Sequence, residues 1–238
     1  MSRPEKWRKL DPPAATPDPA KLGPFYKILR KDLIHHGFTY QLGLNVDSQP
    51  FQPERECQGG LYFSDLEHIA EYLTYGDLVA RVALPPDARW IQEEPGKFKA
   101  DRILLSDIQP WREWDLWNDA TFVQQALKQN GLHLQYVRHQ TPKLCLTAVQ
   151  QNGYALQYVK DQTPQICLAA VQENGGALQY VQHQTPKLCL AAVQRDGWAL
   201  HFVQHQTPKL CLTAVQHNGG ALQYVKDQTP QICLAAVQ

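Results

Sequence analysis

The stretch Gly153-Tyr-Ala-Leu-Gln-Tyr-Val-Lys-Asp-Gln-Thr-Pro-Gln-Ile-Cys-Leu-Ala-Ala-Val-Gln-Glu-Asn174 decides the fold of the C-terminal half of the chain. This 22-residue unit has the consensus G-x-A-L-Q-Y-V-x-x-Q-T-P-x-L-C-L-A-A-V-Q-x-N and occurs five times without a gap. The units are Gly131–Asn152, Gly153–Asn174, Gly175–Asp196, Gly197–Asn218 and Gly219–Gln238. A short fixed period of this kind predicts an all-α solenoid of two-helix repeats, each packed on the next.

Each unit encodes two short helices. Thr163-Pro164 predicts the start of a helix of about ten residues, because threonine caps open N–H groups and proline fits the first turn. Asn174-Gly175 predicts its end, with the glycine in the left-handed conformation. The apolar segment Ala155–Val159 is barely a turn and a half long and is compatible with either an α-helix or a 3₁₀ helix.

The sequence around the array predicts how it begins and how it arose. Asp119–Asn130 aligns without gaps onto Thr141–Asn152 but lacks the proline and the cysteine, so residues 113–130 are predicted to form a degenerate capping repeat before residues 131–238. The sequence stops inside the consensus, so either the array continues beyond Gln238, which we expect, or a partner covers its exposed end. Units two and five are nearly identical and units one and four share Cys-Leu-Thr-Ala-Val-Gln, which indicates that a block of three units, 66 residues, was copied.

A few repeat positions vary on this constant frame and are candidate binding positions. The second residue of the unit is Leu132, Tyr154, Gly176, Trp198 or Gly220. Because large aromatics dominate interface energetics, we predict Tyr154 and Trp198 as anchors for a protein partner. A second variable position carries His139, His183 and His205, alternating with Asp161 and Asp227. The histidines are candidate binding residues. The alternatives are metal binding, pH sensing, a solvated edge or neutral drift.

Composition narrows the classes of partner. Lys plus Arg equals Asp plus Glu at 23 each, which gives no electrostatic footprint for nucleic acid or an anionic membrane. No apolar run approaches the ~20 residues of a membrane-spanning helix, and the N-terminus lacks the apolar core of a secretory signal. We therefore expect a cytoplasmic protein that binds protein, with neither a membrane nor nucleic acid as partner.

The repeated cysteines are predicted to be free. They are Cys145, Cys167, Cys189, Cys211 and Cys233. Equivalent atoms of stacked helices lie about 9–10 Å apart, whereas a disulfide needs Cα atoms within ~7 Å. No close pair of cysteines suits a zinc site, so we predict small core side chains and no metal.

The N-terminal part is predicted as a proline-rich flexible leader, residues 1–24, and a small α+β domain, residues 25–112. Strands are predicted at Phe25–Leu29, Phe38–Leu42, Gly59–Phe63, Leu78–Leu84, Arg89–Ile91 and Arg102–Leu105. Ser64 and Glu67 form a possible capping box for a helix over Asp65–Thr74. The basic cluster Lys97, Lys99 and Arg102 is predicted to lie on a solvated strand face. Trp111, Trp114 and Trp117 are predicted to pack between the sheet and the first repeat.

Two motifs carry a resemblance to known families. The run G-F-x-Y-x-x-G-L-N-V-D-x-x-P-F (Gly37–Phe51) and the run C-x-G-G-L-Y-F-S-D-x-E-H-I (Cys57–Ile69) resemble the domain that precedes ankyrin repeats in giant-virus proteins. The repeats, with A-V-x-x-N-G-x-A-L-x-Y, resemble a short helical repeat family of unknown function from bacteria and giant viruses. Both resemblances imply architecture, and neither implies an activity.

One enzymatic alternative is retained. Gly60-Leu-Tyr-Phe-Ser64 followed by a helix is similar to the strand–helix motif of ADP-ribosyltransferases of the poly(ADP-ribose) polymerase class. That similarity implies an NAD site in which His36 holds the nicotinamide ribose, Tyr62 stacks on the nicotinamide, and Glu93 or Glu94 polarises a hydroxyl. The solenoid would then be a targeting arm. The preferred hypothesis is a protein-binding scaffold or effector without a cofactor.

Overall fold

The computed structural model describes residues 24–53 and 59–237. The chain divides into two compact units, Met1–Pro110 and Trp111–Gln238. The first is built on antiparallel strands and the second on repeated helices, so the predicted α+β domain followed by an all-α solenoid is confirmed. The predicted leader, residues 1–24, falls almost wholly outside the described residues, as does Cys57.

The N-terminal unit is organised around a seven-stranded antiparallel sheet in the order β4-β9-β6-β1-β5-β8-β7, and a separate hairpin pairs β2 with β3. The strands are β1 Phe25–Leu29, β2 Ile34–His35, β3 Phe38–Thr39, β4 Gly43–Val46, β5 Leu61–Asp65, β6 Leu78–Ala83, β7 Trp90–Glu94, β8 Lys97–Ala100 and β9 Arg102–Pro110. The prediction missed β2, β4 and β8, and its strand Phe38–Leu42 contains only β3, because a glycine is typical of the end of a strand, whereas β4 begins at Gly43.

Strand β1 lies at the centre of the sheet and is buried along its whole length. It pairs with β6 over five residues, from Phe25 opposite Val82 to Leu29 opposite Leu78. Phe25 packs edge-to-face on Phe63 and Phe98, with ring centroids 5.1 and 4.9 Å away. Aromatic pairs in these geometries add to the free energy of area burial, so this cluster forms the apolar core of the unit.

The predicted capping box is wrong. Ser64 lies inside β5, and its buried hydroxyl donates to the carbonyl oxygen of Gly96 at 2.6 Å. The turn after the strand is held instead by Asp65, whose carboxylate accepts from the backbone N–H of His68 at 3.0 Å. The helix that follows is a 3₁₀ helix, Ile69–Tyr75, rather than an α-helix.

The second unit repeats one pattern of an α-helix followed by a 3₁₀ helix. The α-helices are α1 Ala120–Gln129, α2 Pro142–Gln151, α3 Pro164–Glu173, α4 Pro186–Arg195, α5 Pro208–His217 and α6 Pro230–Ala236. The 3₁₀ helices are Asp115–Asn118, Gly131–Tyr136, Gly153–Tyr158, Gly175–Tyr180, Gly197–Phe202 and Gly219–Tyr224. The short second helix of each unit, which the sequence left open between α and 3₁₀, is thus a 3₁₀ helix.

Capping residues explain the sharp boundaries. Thr163 accepts from the backbone N–H of Ile166, with Pro164 in the first helical turn, as the sequence predicted. Asn174 ends α3 and also begins the next 3₁₀ helix, because its side chain accepts from the backbone N–H of Gly176. One residue therefore serves both helices, and a cap of this kind stabilises a helix by about 1 kcal/mol.

The glycine that opens each unit has a different role from the one predicted. None of the described repeat glycines adopts positive φ. A Cβ on Gly175 would lie 2.6 Å from the carbonyl oxygen of Ala192, on the α-helix of the same unit, and one on Gly153 would lie 2.5 Å from that of Ala170. Glycine is therefore needed because the 3₁₀ helix and the α-helix of each unit approach each other here to backbone contact.

A glutamine side chain clamps each loop to the next one. The amide of Gln162 donates to the carbonyl oxygen of Tyr180 at 2.8 Å and accepts from the backbone N–H of Gln182 at 3.0 Å. The thiol of Cys167 donates to the same amide oxygen at 3.6 Å. Gln140, Gln184 and Gln206 make the equivalent contacts. Each repeat thus supplies the hydrogen-bond partners that the loop of its successor lacks.

The start of the helical unit is an aromatic cluster. Trp111, Trp114 and Trp117 are buried. Trp117 packs edge-to-face on Phe122 at 5.0 Å and near Tyr136 at 5.2 Å, and its indole N–H donates to the carbonyl oxygen of Trp111. These contacts bind the tryptophans to the degenerate repeat and the first full repeat.

Candidate functional site

The predicted aromatic anchors occupy equivalent positions, each at the second residue of a 3₁₀ helix. Trp198 is 39% exposed, and Tyr154 is partly exposed. Trp198 packs edge-to-face on Tyr224 of the next unit with centroids 5.8 Å apart, and Tyr154 packs likewise on Tyr180 at 6.1 Å. Both side chains are therefore held by the following repeat while part of each ring remains open to solvent.

Glycine alternates with these aromatic residues for a packing reason that sequence reasoning missed. A Cβ on Gly220 would lie 2.8 Å from Cη2 of Trp198, and a Cβ on Gly176 would lie 2.8 Å from the hydroxyl oxygen of Tyr154. Each large ring therefore lies over the glycine of the next unit. The signal was present in the sequence, because the two glycines that occupy the aromatic position directly follow the units with Tyr154 and Trp198.

The histidines lie on a different edge of the array. His139, His183 and His205 are exposed and belong to the loops that precede α2, α4 and α5. Asp161 and Asp227 are exposed at the same repeat position. Beside His205, the loops before α5 and α6 enclose a pocket of about 300 Å³, lined by both polar residues and the apolar Pro208 and Ile232.

In the N-terminal unit the structure joins two of the residues named for the enzymatic alternative. The hydroxyl of Tyr62 donates to Oε1 of Glu93 at 3.0 Å. The same oxygen lies 2.8 Å from Nζ of Lys99, and Oε2 lies 3.3 Å from Nζ of Lys97. The pairing of β7 with β8 is irregular between Gln92 and Glu94, and this bulge lies at Glu93.

The other two residues named for the enzymatic alternative, His36 and Glu94, are exposed to solvent. His36 lies on the turn of the β2–β3 hairpin, at φ +50°, and its ring stacks on that of His35 at 4.3 Å.

The basic residues predicted to lie on a solvated strand face differ in their exposure to solvent. Lys99 is fully buried, whereas Lys97 and Arg102 are partly exposed. The ammonium group of Lys99 is satisfied by Glu93 and by the carbonyl oxygen of Gln52 at 2.9 Å. A side chain on Gly60, at φ +142°, would overlap the stem of Lys99, so the glycine leaves room for it.

A second buried lysine lies on the central strand. Nζ of Lys27 donates to the carbonyl oxygen of Tyr62 at 2.6 Å and lies 4.5 Å from the ring centroid of Tyr40. Burial lowers the pKa of Lys27 to about 7. Sequence reasoning missed this residue, because a single lysine between Tyr26 and Ile28 is typical of an ordinary alternating strand.

Metal-binding groups and membrane-spanning helices are both absent from the part of the chain that the structure describes. Within residues 24–53 and 59–237, no group of three or more His, Cys, Asp and Glu side chains has the arrangement of a metal site. In the same part of the chain, no helix has both the length and the apolar character needed to cross a bilayer.

The fold defines a helical-repeat protein with an antiparallel-sheet domain in front of the array. Residues 142–184 match the family described as a domain of unknown function, DUF4116. The chain is 30% identical over 99 residues to the uncharacterized protein R869 of Acanthamoeba polyphaga mimivirus, a match that covers 39% of this chain and 72% of that protein. It belongs to the family of that protein, and the predicted giant-virus resemblance is confirmed.

Two further relatives are larger repeat proteins of the same virus. The putative ankyrin repeat protein R868 is 36% identical over 100 residues, which are 39% of this chain and 50% of the relative. The putative ankyrin repeat protein R896 is 43% identical over 68 residues, 28% of this chain and 20% of the relative. The chain thus spans half or less of the length of these relatives. No solved structure matches.

Proposed function

We propose that the protein is an interaction scaffold or effector whose helical array binds another protein through the face that carries Tyr154 and Trp198. The observation that carries this proposal is the partly exposed Trp198, held against Tyr224 and over Gly220 of the next unit. A rigid aromatic side chain loses little conformational entropy on binding and suits a hot spot. The similarity to proteins named as ankyrin repeat proteins supports the same role.

The test is binding of a purified partner to matched variants of the full chain. A protein captured from cell extract is identified, expressed and titrated by calorimetry against the wild type, Trp198→Ala and Tyr154→Ala. Truncating a hot-spot residue costs at least about 2 kcal/mol, so Kd should rise about 30-fold.

Lys209→Ala supplies the control. Lys209 is exposed in the first turn of α5, away from the 3₁₀ face, and its replacement should change Kd less than about twofold, as expected for a contact at the rim or outside the interface. A purified partner that binds all four proteins equally tightly would refute the proposed face.

The alternative proposal, an ADP-ribosyltransferase-like activity with NAD as cofactor, is supported by the hydrogen bond between Tyr62 and Glu93. Against it, the oxygens of Glu93 are already occupied by Lys97 and Lys99, and His36 lies on a separate hairpin. The test is NAD⁺ turnover by the purified chain. If turnover is observed and disappears in Tyr62→Phe and Glu93→Gln, the enzymatic proposal replaces the scaffold proposal for the N-terminal domain.

A further inference from the structure

The pocket between the fourth and fifth units has the chemistry of a site for a basic side chain. Its lining includes the apolar Pro208, Cys211 and Ile232 together with the carboxylate of Asp227. Lysine and arginine side chains pack their aliphatic stems on apolar surface while the charged end meets a carboxylate. A volume of about 300 Å³ leaves room for one such side chain and water.

The carboxylate is available to a ligand. Within the described residues, Asp227 forms no ion pair and accepts no hydrogen bond on its side chain. The neighbouring Lys226 does not neutralise it, because its ammonium group is turned to the carbonyl oxygen of Gln204 at 3.4 Å. The backbone N–H of Lys226 donates to the side chain of Gln206 at 3.0 Å, which holds the loop next to Asp227.

The same residues recur three units earlier. The lining residues His205, Lys226, Asp227 and Ile232 correspond to His139, Lys160, Asp161 and Ile166, each 66 residues before. Lys160 is likewise turned to the carbonyl oxygen of Arg138, at 3.0 Å, and Asp161 likewise lacks an ion pair within the described residues. Burial raises the pKa of the Cys145 and Cys211 thiols, and the negative charges of Asp161 and Asp227 add to the rise at both equivalent positions.

The two loop pairs between these sites differ. The aspartate position is occupied by His183 in the third unit and by His205 in the fourth. The junction between the second and third units and the junction between the third and fourth units therefore lack this carboxylate. The copied three-unit block has therefore placed two junctions that carry an aspartate three units apart. The two junctions between them carry a histidine at the same position.

We propose that Asp161 and Asp227 mark two equivalent subsites that bind arginine or lysine side chains of one extended peptide segment of the partner. This inference rests on the proposed function and names the chemistry of the partner. Helices pack about 8–10 Å apart, so three layers separate the subsites by about 24–30 Å. An extended chain advances about 3.3 Å per residue, so the two basic residues are about seven to nine positions apart.

The test uses the full chain and synthetic peptides at physiological ionic strength. A fluorescent peptide of serine and threonine carries two arginines about eight residues apart, and the comparison peptides carry one arginine or two arginines about four apart. Because the second contact becomes intramolecular, the matched spacing should bind at least about tenfold more tightly than either comparison peptide.

Variants then assign the effect to the two carboxylates. Asp227→Asn and Asp161→Asn should each reduce binding of the matched peptide to the level of the single-arginine peptide. Glu173→Gln removes an exposed carboxylate at the C-terminal end of α3 and should change binding less than about twofold, as for a screened surface charge.

Equal binding of all peptides, equal losses in all three variants, or no binding of any peptide would overturn the inference. These outcomes are separable from failure of the proposed function, since the aromatic face is tested by Trp198→Ala with the purified partner. If Trp198→Ala abolishes binding of that partner but all peptides bind equally, the proposed scaffold function stands and the subsites for basic side chains are refuted.

Discussion

Replacing Gly175 by alanine should weaken the packing of the 3₁₀ helix Gly175–Tyr180 against α4 within the third unit. The added Cβ would lie 2.6 Å from the carbonyl oxygen of Ala192 and 3.0 Å from Cβ of Asp196. Both neighbours are tied to backbone, so α4 must move away. Overpacking of this kind costs about 1–3 kcal/mol, and the smaller entropy of unfolded alanine returns about 0.4–1 kcal/mol, because φ at Gly175 is not positive.

The adjacent glycine provides the matched control. In Gly176→Ala the new Cβ would lie 2.8 Å from the hydroxyl oxygen of Tyr154, at the far end of a side chain that can rotate away. The same chemical change, one residue along the same 3₁₀ helix, should therefore be neutral or stabilise by up to about 1 kcal/mol.

Amide hydrogen exchange measured by mass spectrometry reads both variants in the intact chain. A net loss of about 1–2 kcal/mol in Gly175→Ala corresponds to about 5- to 30-fold faster exchange in Pro186–Arg195, with little change in Ala120–Gln129. Gly176→Ala should leave both segments unchanged or slower. If Gly175→Ala protects α4 as well as Gly176→Ala does, the close approach of the 3₁₀ helix to α4 at this glycine is refuted.

Three further predictions follow from buried groups. Burial among Trp111, Trp117 and Tyr136 lowers the pKa of His133 from 6.5, so the unfolded chain binds more protons than the folded chain just below that pH, and the free energy of unfolding should fall as pH drops from 7 to 5. Urea denaturation should show this loss in the wild type and a smaller loss in His133→Phe; equal losses would contradict it. The pKa of Lys27 is lowered from 10.5 to about 7, so the unfolded chain again holds more protons between those values, and stability should rise from pH 7 to pH 9 by up to about 1.4 kcal/mol per pH unit relative to Lys27→Met. Exchange of the β1 amides at the two pH values, corrected for the intrinsic rate, measures this, and a constant difference between the two proteins would refute it. The four buried repeat thiols have pKa values raised by burial, so a maleimide should label the partly exposed Cys233 before Cys145, Cys167, Cys189 and Cys211, whereas equal labelling rates would show that the array opens as a whole.

The repeat could be predicted from sequence to the level of individual caps because its determinants are local. Thr163-Pro164 specifies a helix start through its own side chain and ring, and the structure confirms that cap. The glycines were misinterpreted because Gly175 is specified by Ala192, which lies far along the same unit on α4 and meets the glycine only through packing. A left-handed turn and a backbone contact both require glycine, and only the packing separates them.

The N-terminal unit was predicted less well because its pairings are distant in sequence. Ser64 resembles a helix cap, but its partner is the carbonyl oxygen of Gly96, brought near by strand pairing. Lys99 resembles a solvated lysine, but Glu93 and the carbonyl oxygen of Gln52 compensate its burial. The aromatic positions of the array were identified from sequence, whereas the glycines beneath them required the structure.

The structure attributes the stacking of the array to glutamine clamps between successive repeats, and exchange of the clamped loop amides tests that attribution most directly. Those N–H groups belong to Lys160, Gln182, Gln204 and Lys226, and each donates to a glutamine of the preceding unit at 3.0–3.1 Å. All four should exchange at least about tenfold more slowly than an open loop, and Gln184→Ala should release Gln204 while the other three stay protected. Exchange of these amides at open-loop rates in the wild type would contradict the account.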